Sequence, residues 1–181
     1  MRRVMIIGQP GSGKSTFARA MGALTFLPVY HVDRIHWQSG WIARPRAETT
    51  RLCAAIEAKP AWIFEGGHSA TWHNRLARAD TLIWLDLPVG ARLGRIARRT
   101  VRWWGRTRPD LPDGCPEQMS LAFWRYVWRT RATGRARCAE LMARAGPGHA
   151  IHHLEGARAA RSYLAALRRA VAVGNLGIPH R

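Results

Sequence analysis

Lysine, cysteine and long apolar runs are all scarce in this chain of 181 residues. The three cysteines, Cys53, Cys115 and Cys138, lie far apart and form no CxxC pair, which argues against a zinc site or a disulfide framework. The longest apolar runs have the length of strands and are too short to span a membrane. The first residues, MRR, lead directly into such a run without a signal-peptide pattern, so we expect a cytoplasmic protein with reduced thiols.

Basic charge is abundant, and almost all of it is arginine. The chain has 27 arginines and two lysines against 11 acidic residues, which gives a net charge of +18. Residues 92–144 hold 13 of the arginines and only four acids. This charge favours nucleic acid, nucleotides or anionic membranes as partners. Scarce lysine beside abundant alanine is also what a biased genomic base composition produces, and both interpretations stay open.

Apolar, strand-like runs alternate with helix-like segments along the chain. Strands are predicted at residues 4–7, 29–32, 62–65, 82–85 and 151–154, and helices at 14–24, 46–58, 89–103, 117–145 and 157–171. This alternation is typical of an α/β fold with a parallel sheet covered on both faces. In the fourth helix, Leu121, Trp124 and Trp128 recur at helical spacing and predict a stripe that faces the core.

Two stretches are predicted to lack regular structure. GRTRPDLPDGCPE at residues 105–117 has three prolines and two glycines, which predicts a loop with hinges. The C-terminal GNLGIPHR at residues 174–181 is predicted to be a disordered end.

The stretch GQPGSGKST at residues 8–16 follows a predicted strand, opens a predicted helix, and matches the phosphate-binding loop G-x-x-x-x-G-K-[ST]. Glycines let successive backbone N–H groups approach phosphate oxygens, and the helix N-terminus adds partial positive charge. Lys14 is predicted to reach the β and γ phosphates of ATP, and Ser15 to ligate Mg²⁺. The predicted ATP-binding residues are Gly8, Pro10, Gly11, Ser12, Gly13, Lys14, Ser15 and Thr16.

Acidic residues follow three of the predicted strands, at the edge where open parallel sheets bind ligands. Glu65 precedes Gly66-Gly67, whose backbone can approach a ligand, and it is the favoured Mg²⁺ ligand through water. Asp86 is the alternative acid for the metal, but it precedes Leu-Pro and fits a turn cap equally well. Asp33 is predicted to accept a proton from the acceptor, or to orient it, with a turn or N-cap role as the alternative.

Taken together, these features resemble the small P-loop kinases related to adenylate and shikimate kinases, and the chain looks closest to the bacterial FlaR-like branch, often labelled DNA topology modulation protein. The resemblance is carried by GQPGSGKST at 8–16, HVDRIHWQSGW at 31–41, FEGGHSATWHNRLARADTLIWLDLP at 64–88 and RIARRTVRWWGRTRPDLPDGCPE at 95–117. It implies a three-layer P-loop fold with a five-stranded parallel sheet. It also implies one domain over residues 1–181, with an arginine-rich lid inserted at about residues 102–117.

The resemblance also implies which residues meet the substrates. Glu65, Gly66 and Gly67 sit where relatives have Asp-Gly before the acceptor site, near Asp33 and Arg34. Arg75 matches a recurrent arginine that clamps the acceptor, and a solvated helix arginine is the alternative. The resemblance also implies arginines that stabilise charge on the transferred phosphoryl group, of which two or three act: Arg95, Arg98 and Arg99 before the lid, and Arg102, Arg106 and Arg108 on it.

The chain departs from adenylate kinases at two places. GHSATWHNR at residues 67–75 replaces the residues that select AMP, so that specificity is not carried over. The lone Cys115 replaces the four-cysteine zinc lid of some adenylate kinases, so no zinc is expected.

The sequence therefore predicts an ATP-dependent, Mg²⁺-assisted kinase that transfers the γ-phosphoryl group to a nucleotide or another small acceptor. The alternative is an ATP-switched nucleic-acid-binding protein that uses residues 92–144, or a polynucleotide 5′-hydroxyl kinase. Against that alternative, the chain has no helix-turn-helix, RNA-recognition or zinc-finger signature.

Overall fold

The computed structural model describes residues 1–173, so the predicted disordered end at 174–181 lies outside the described residues. The strands of the main sheet are β1 Arg3–Ile7, β2 Val29–His31, β5 Trp62–Glu65, β6 Thr81–Asp86 and β7 Ala150–Glu155. They are all parallel and lie in the order β2-β5-β1-β6-β7. A separate antiparallel hairpin pairs β3 Trp37–Gln38 with β4 Ile42–Ala43.

Helices connect and cover these strands. They are α1 Lys14–Thr25, α2 Val32–His36, α3 Arg46–Glu57, α4 Trp72–Arg78, α5 Val89–Trp103, α6 Leu121–Arg129, α7 Arg131–Ala143 and α8 Gly156–Ala172. Short 3₁₀ turns lie at Ser39–Trp41 and Ser69–Thr71. No helix in the described part of the chain is both long enough and apolar enough to cross a membrane.

Alternation along the central strands builds one hydrophobic core on each face of the sheet. In β1, Met5 and Ile7 pack with helices α3, α4 and α7, while Val4 and Ile6 pack with α1 and α8. All four side chains are at most 1% exposed, as expected for a parallel sheet covered on both faces. The predicted α/β fold is therefore confirmed.

The five predicted strands and four of the five predicted helices are found within two residues of their expected bounds. Helices α2 and α4 and the β3–β4 hairpin were not predicted. They are too short to leave a clear periodic pattern in the sequence.

The predicted helix at 117–145 is wrong in two respects. Residues 117–120 are not helical, and the remainder breaks at Thr130 into α6 and α7. The break coincides with a contact from the phosphate-binding loop, because the Gln9 side-chain amide donates to the carbonyls of Thr130 and Arg131 at 3.0 and 2.9 Å. A pattern in local sequence carries no sign of such a distant contact.

The predicted core-facing stripe on this helix is also wrong. Leu121 and Trp128 are 69% and 51% exposed, and Val127 is the buried residue of α6. Helical spacing shows that apolar side chains share a face, but it does not show that another element covers that face.

The sheet order places the carboxyl ends of β1, β2 and β5 side by side. The loop after β1 carries the glycine-rich motif, Asp33 lies in α2 directly after β2, and Glu65 is the last residue of β5. The fold thus brings three motifs that are distant in sequence to one edge of the sheet, where open α/β sheets bind ligands.

Candidate active site

The glycine-rich loop requires glycine at three positions. Gly8, Gly11 and Gly13 have φ values of 146°, 80° and 95°, which side chains other than glycine rarely adopt. A Cβ at Gly8 would lie 2.6 Å from the Leu85 carbonyl oxygen, and one at Gly11 would lie 2.6 Å from the Arg92 carbonyl oxygen. The loop is therefore packed tightly against β6 and α5.

Lys14 begins helix α1, and its ammonium group folds back over the loop to donate to the Gln9 carbonyl at 3.2 Å. Within the described residues, no side chain caps the N-terminus of α1, and its first turn has no acid. The first-turn N–H groups, including those of Ser15 and Thr16, thus have no side-chain acceptor there. The Ser12 hydroxyl is buried in the loop without a hydrogen-bond partner among these residues. This is an environment suited to an anion.

Two arginines of α5 donate hydrogen bonds to backbone carbonyls of the glycine-rich loop. Arg92 donates to the Pro10 carbonyl at 3.2 Å, and Arg95 donates to the Ser12 carbonyl at 2.8 Å. Burial lowers the pKa of both guanidinium groups, and nearby Asp86 opposes that shift for Arg92. Arg95 is one of the arginines that the resemblance implies before the lid, whereas Arg92 was not among the predicted site residues. Their spacing of three on a predicted helix was the available signal.

Glu65, the acid at the end of β5, forms a buried pair with His31. His31 and Glu65 are register partners on β2 and β5, and their side chains meet with Nδ1 2.6 Å from Oε1. They are 7% and 2% exposed. Sequence reasoning had placed Glu65 at this edge but had not predicted its pairing with His31, because register between distant strands cannot be seen in a sequence.

Asp33 lies in the first turn of α2, directly after β2. Burial raises the pKa of its carboxyl group above the ordinary value, and the negative charge of Glu65 raises it further. The positive charges of Lys14 and Arg108 act in the opposite direction. Asp33 thus lies in the electrostatic field of the phosphate loop, of β5 and of the lid at once.

Gly66 and Gly67 continue from Glu65. Gly66 has a φ of 117°, and a Cβ there would lie 2.8 Å from the Cβ of Val32. Gly67 has no neighbour within 4 Å of the position a Cβ would take, and it is exposed. The pair therefore packs closely against α2 at Gly66 and opens toward solvent at Gly67.

Arg75, predicted to clamp the acceptor, is instead fully buried. Its guanidinium donates to Glu57 Oε1 at 3.0 Å, to the Thr71 hydroxyl at 3.0 Å and to the Gly66 carbonyl at 3.3 Å. It also stacks on Phe64, with 3.9 Å from Cζ to the ring centroid. In this geometry Arg75 contacts the acceptor loop from behind, through Gly66, and does not face the crevice.

The lid, residues 104–117, is closed at its base by Glu117. The Arg99 guanidinium and the Thr100 hydroxyl both donate to Glu117 Oε1, at 3.1 Å for Arg99 Nη2 and 3.1 Å for Thr100. Arg108 lies 2.7 Å from the other carboxylate oxygen of Glu117 and 2.6 Å from Asp110. These two acids, which sequence reasoning missed as site residues, form ion pairs with two of the six predicted arginines.

The remaining predicted lid arginines, Arg98, Arg102 and Arg106, are exposed and form no ion pair within residues 1–173. Arg34 is exposed as well, and its guanidinium donates to the Pro109 carbonyl of the lid at 3.4 Å. The structure therefore brings Arg99 and Arg108 together at the lid base and leaves the other three at the surface.

Asp86, the alternative metal acid, is already paired. One of its carboxylate oxygens accepts from Arg135 Nε at 2.9 Å and contacts His153 Nε2 at 3.1 Å. Ligand atoms of Asp86, His153 and Glu155 lie within 4.8 Å of one another. The guanidinium of Arg135 already supplies positive charge to this cluster.

Comparisons with known proteins agree with this geometry. A shikimate kinase from Rhodococcus jostii (strain RHA1) is 28% identical over 130 residues, which make up 64% of this chain and 74% of that enzyme. The structure of shikimate kinase from Acinetobacter baumannii in complex with shikimate matches 97% of this chain and 96% of its own, with a TM-score of 0.58 and 18% identity. Shikimate kinase from Aquifex aeolicus matches 97% of this chain and 99% of its own, with a TM-score of 0.54 and 15% identity. No family model matches the sequence.

The chain therefore has the P-loop kinase fold, in the form that shikimate kinases share. None of these comparisons supports the narrower resemblance to the FlaR-like branch, which stays a prediction.

Proposed function

We propose that this protein is an ATP-dependent kinase that phosphorylates a hydroxyl group of a small, anionic acceptor. The observation that carries the proposal is the position of Asp33, a half-buried carboxyl group in the first turn of α2, on which the positive charges of both Lys14 and the lid residue Arg108 act. A proton acceptor beside a phosphate-binding lysine and a closing arginine is what phosphoryl transfer to a hydroxyl needs.

On the donor side, the loop residues Gly8, Pro10, Gly11, Ser12 and Gly13 and the start of α1 with Thr16 hold the phosphates of ATP. Lys14 neutralises the β and γ phosphates. Ser15 and Glu65, through water, hold Mg²⁺, and their oxygen donors are of the type this ion prefers. Mg²⁺ supplies charge neutralisation between the phosphates when it is bound.

On the acceptor side, Asp33 orients the hydroxyl and accepts its proton. Arg34 and the backbone of Gly66-Gly67 border the acceptor, and Arg75 fixes that backbone from behind. The arginines Arg98, Arg99, Arg102, Arg106 and Arg108 provide positive charge at the lid for the transferred group.

The charge balance around the crevice favours an anionic acceptor. Glu65 is paired with His31, Glu57 with Arg75, and Glu48 with Arg44. Arg34 and Arg46 form no ion pair within the described residues. The positive charges of Arg46 and His36 also act on nearby His68, where they add to the lowering of its pKa by burial. An acceptor that carries a carboxylate or a phosphate would balance this excess.

The test is ADP formation from MgATP with a panel of acceptors: shikimate, other hydroxylated carboxylic acids, sugar phosphates, nucleoside monophosphates and their uncharged analogues. We expect turnover with one anionic, hydroxyl-bearing compound. Asp33→Asn should reduce kcat by a factor of about 100 or more, the usual effect of losing a general base.

Lys59 offers a matched control for substitution of Lys14, because these two are the lysines of the chain. Lys59 lies away from the loop and donates to the Tyr30 hydroxyl at 3.0 Å. Lys14→Ala should abolish turnover and Lys59→Ala should preserve it. Turnover that survives Lys14→Ala, or that is equal with anionic and uncharged acceptors, would contradict the proposal.

A second candidate function is binding of single-stranded nucleic acid on the exposed face of α6. Tyr126 and Trp128 are 54% and 51% exposed, and the guanidinium of Arg131 stacks on Trp128 at 4.4 Å from the ring centroid. Arg125 and Arg129 line a shallow groove beside Tyr126. Aromatic rings interleaved with arginines are typical of surfaces that stack bases and contact phosphates. With kinase chemistry, the same surface would present a polynucleotide 5′-hydroxyl as acceptor.

A further inference from the structure

The lid makes a second set of contacts, in the three residues directly before Glu117. Three consecutive lid residues, Gly114, Cys115 and Pro116, contact the β3–β4 hairpin, residues 37–43. The Gly40 N–H donates to the Gly114 carbonyl at 2.9 Å, and the Cys115 thiol donates to the Gln38 carbonyl at 3.1 Å. The Trp41 indole N–H donates to the Pro116 carbonyl at 3.0 Å. The C-terminal part of the lid is therefore held by two elements, by α5 through Glu117 and by the hairpin through residues 114–116.

These contacts are closely packed. Gly114 has a φ of 76°, and a Cβ there would lie 2.1 Å from the Ser39 hydroxyl oxygen. Cys115 has no exposed surface, although it lies in a surface loop. A side chain in a surface loop stays fully buried only when the loop is docked against another element.

Trp41 has an unusual backbone conformation. Its φ is 60°, in the left-handed region that bulky residues rarely adopt, and it follows Gly40 at 75°. Its ring packs edge-on against Trp37, with 5.3 Å between centroids. This conformation aims the indole N–H at the lid. Strained residues persist where the surrounding structure requires them, and such sites often serve function.

The hairpin is also continuous with the acceptor segment. It directly follows α2, which carries Asp33 and Arg34, and Arg34 itself contacts the lid carbonyl of Pro109. The lid carries Arg108 and Asp110, whose charges both act on the Asp33 carboxyl. The hairpin that holds the lid thus adjoins the segment whose Asp33 carboxyl group is acted on by charges of the lid.

We infer that Trp41 is a positioning residue that docks the lid on the acceptor segment, so that phosphoryl transfer occurs only when both are closed together. This inference rests on the proposed function. The docked lid excludes water from the phosphoryl group, and an undocked lid lets water replace the acceptor, which yields ADP and free phosphate.

Cys115 gives a direct readout of docking that does not depend on catalysis. When the lid leaves the hairpin, the Cys115 thiol becomes accessible to a disulfide reagent such as 5,5′-dithiobis(2-nitrobenzoate). Cys53 and Cys138 are buried in the core beneath the sheet and serve as internal controls, since burial raises the pKa of each to about 11. Mass spectrometry of peptides identifies which thiol has reacted.

The test compares Trp41→Phe, which keeps an aromatic ring but loses the indole N–H, with Trp37→Phe as the matched control. Trp41→Phe should speed labelling of Cys115 by about three- to tenfold, the effect of losing one neutral hydrogen bond. Trp37→Phe should not speed it, and Cys53 and Cys138 should stay unreactive in both. Gly114→Ala, which forces a Cβ against Ser39, should also speed labelling of Cys115.

Catalysis provides the second readout. Trp41→Phe should raise the ratio of free phosphate released to acceptor phosphorylated, while thermal unfolding stays close to that of the parent protein. Unchanged Cys115 labelling in both Trp41→Phe and Gly114→Ala would overturn the docking role. If no acceptor is phosphorylated by the parent protein, the proposed function fails, but the thiol result still decides the docking.

Discussion

The carboxyl group of Asp33 lies in surroundings that disfavour its ionised form. Its pKa in the folded protein is raised above the ordinary value, first by burial and then by Glu65. A carboxyl group with a raised folded pKa binds its proton more tightly in the folded state, so its contribution to stability is present at low pH and lost as pH rises through the folded pKa. At neutral pH, Asp33 therefore destabilises the fold while it serves the site.

Asp33→Asn should stabilise the protein at pH 7, because a neutral amide of the same shape replaces a buried carboxylate. The expected gain is about 1–3 kcal/mol, and it should shrink as pH falls toward the ordinary pKa of aspartate. Thermal melts at neutral and acidic pH measure it. A lower melting temperature for Asp33→Asn at pH 7 would show that the carboxylate is well compensated in the fold.

Arg75 was predicted to clamp the acceptor, but its observed position differs, because its side chain is fully buried. The Arg75–Glu57 pair is buried without exposure on either side chain. Removing one partner leaves a buried charge unpaired, which costs about 3–5 kcal/mol. We therefore expect Arg75→Met to lower the free energy of unfolding by that amount.

Urea denaturation of Arg75→Met measures this loss, with Arg98→Met as the exposed control that should change stability by less than about 0.5 kcal/mol. A variant of normal stability whose acceptor KM is raised would instead support the clamp predicted from sequence. Arg75 could be selected from the sequence as important, but its burial depends on Glu57, Thr71 and Phe64, which come from three other elements or turns.

At the scale of elements, the sequence identifies the strands well because each is a short apolar run next to a turn signal, as in VMII before GQPGSGKS. The same approach fails where contacts between residues that are distant in sequence determine where an element ends or what it packs against. Nothing near Thr130 breaks a helix by itself, and the contact from Gln9 comes from the other end of the chain. Lid docking is equally hidden, since Trp41 and Pro116 are far apart in sequence.

The contact from Gln9 links the phosphate-binding loop to the α6–α7 break and can be tested directly. Gln9→Glu replaces a donor with a carboxylate that faces the carbonyl oxygens of Thr130 and Arg131. We expect a loss of about 1–3 kcal/mol in unfolding free energy, because acceptors then face acceptors. Gln9→Met, which removes the amide without adding charge, should cost less. Equal stability of the two variants would show that the contact does not hold the break in place.

At the scale of the whole molecule, the net charge is +18, and most of the arginines in residues 1–173 form no ion pair with an acid of that part of the chain. Six arginines form ion pairs with acids in the described part of the chain: Arg44, Arg75, Arg99, Arg108, Arg135 and Arg144. A kinase for a small acceptor does not need most of the others. The exposed aromatic residues of α6 show where such charge would be used, if it is used at all, because base stacking requires rings that charge alone does not supply.

Two double variants distinguish nucleic-acid binding on the exposed face of α6 from attraction by the net charge of the protein. Arg125→Gln/Arg129→Gln removes two charges from α6, and Arg158→Gln/Arg168→Gln removes two exposed charges from α8. Affinity for a fluorescent single-stranded oligonucleotide is measured by anisotropy over a series of salt concentrations. Each phosphate contact contributes about −0.7 to the slope of log K against log salt for single strands. The α6 variant should therefore flatten the slope by about 1.4 and the α8 variant should leave it nearly unchanged.

Trp128→Ala should weaken binding without changing the slope, because stacking releases no counterions. Equal losses for the two double variants would assign the affinity to net charge and not to α6.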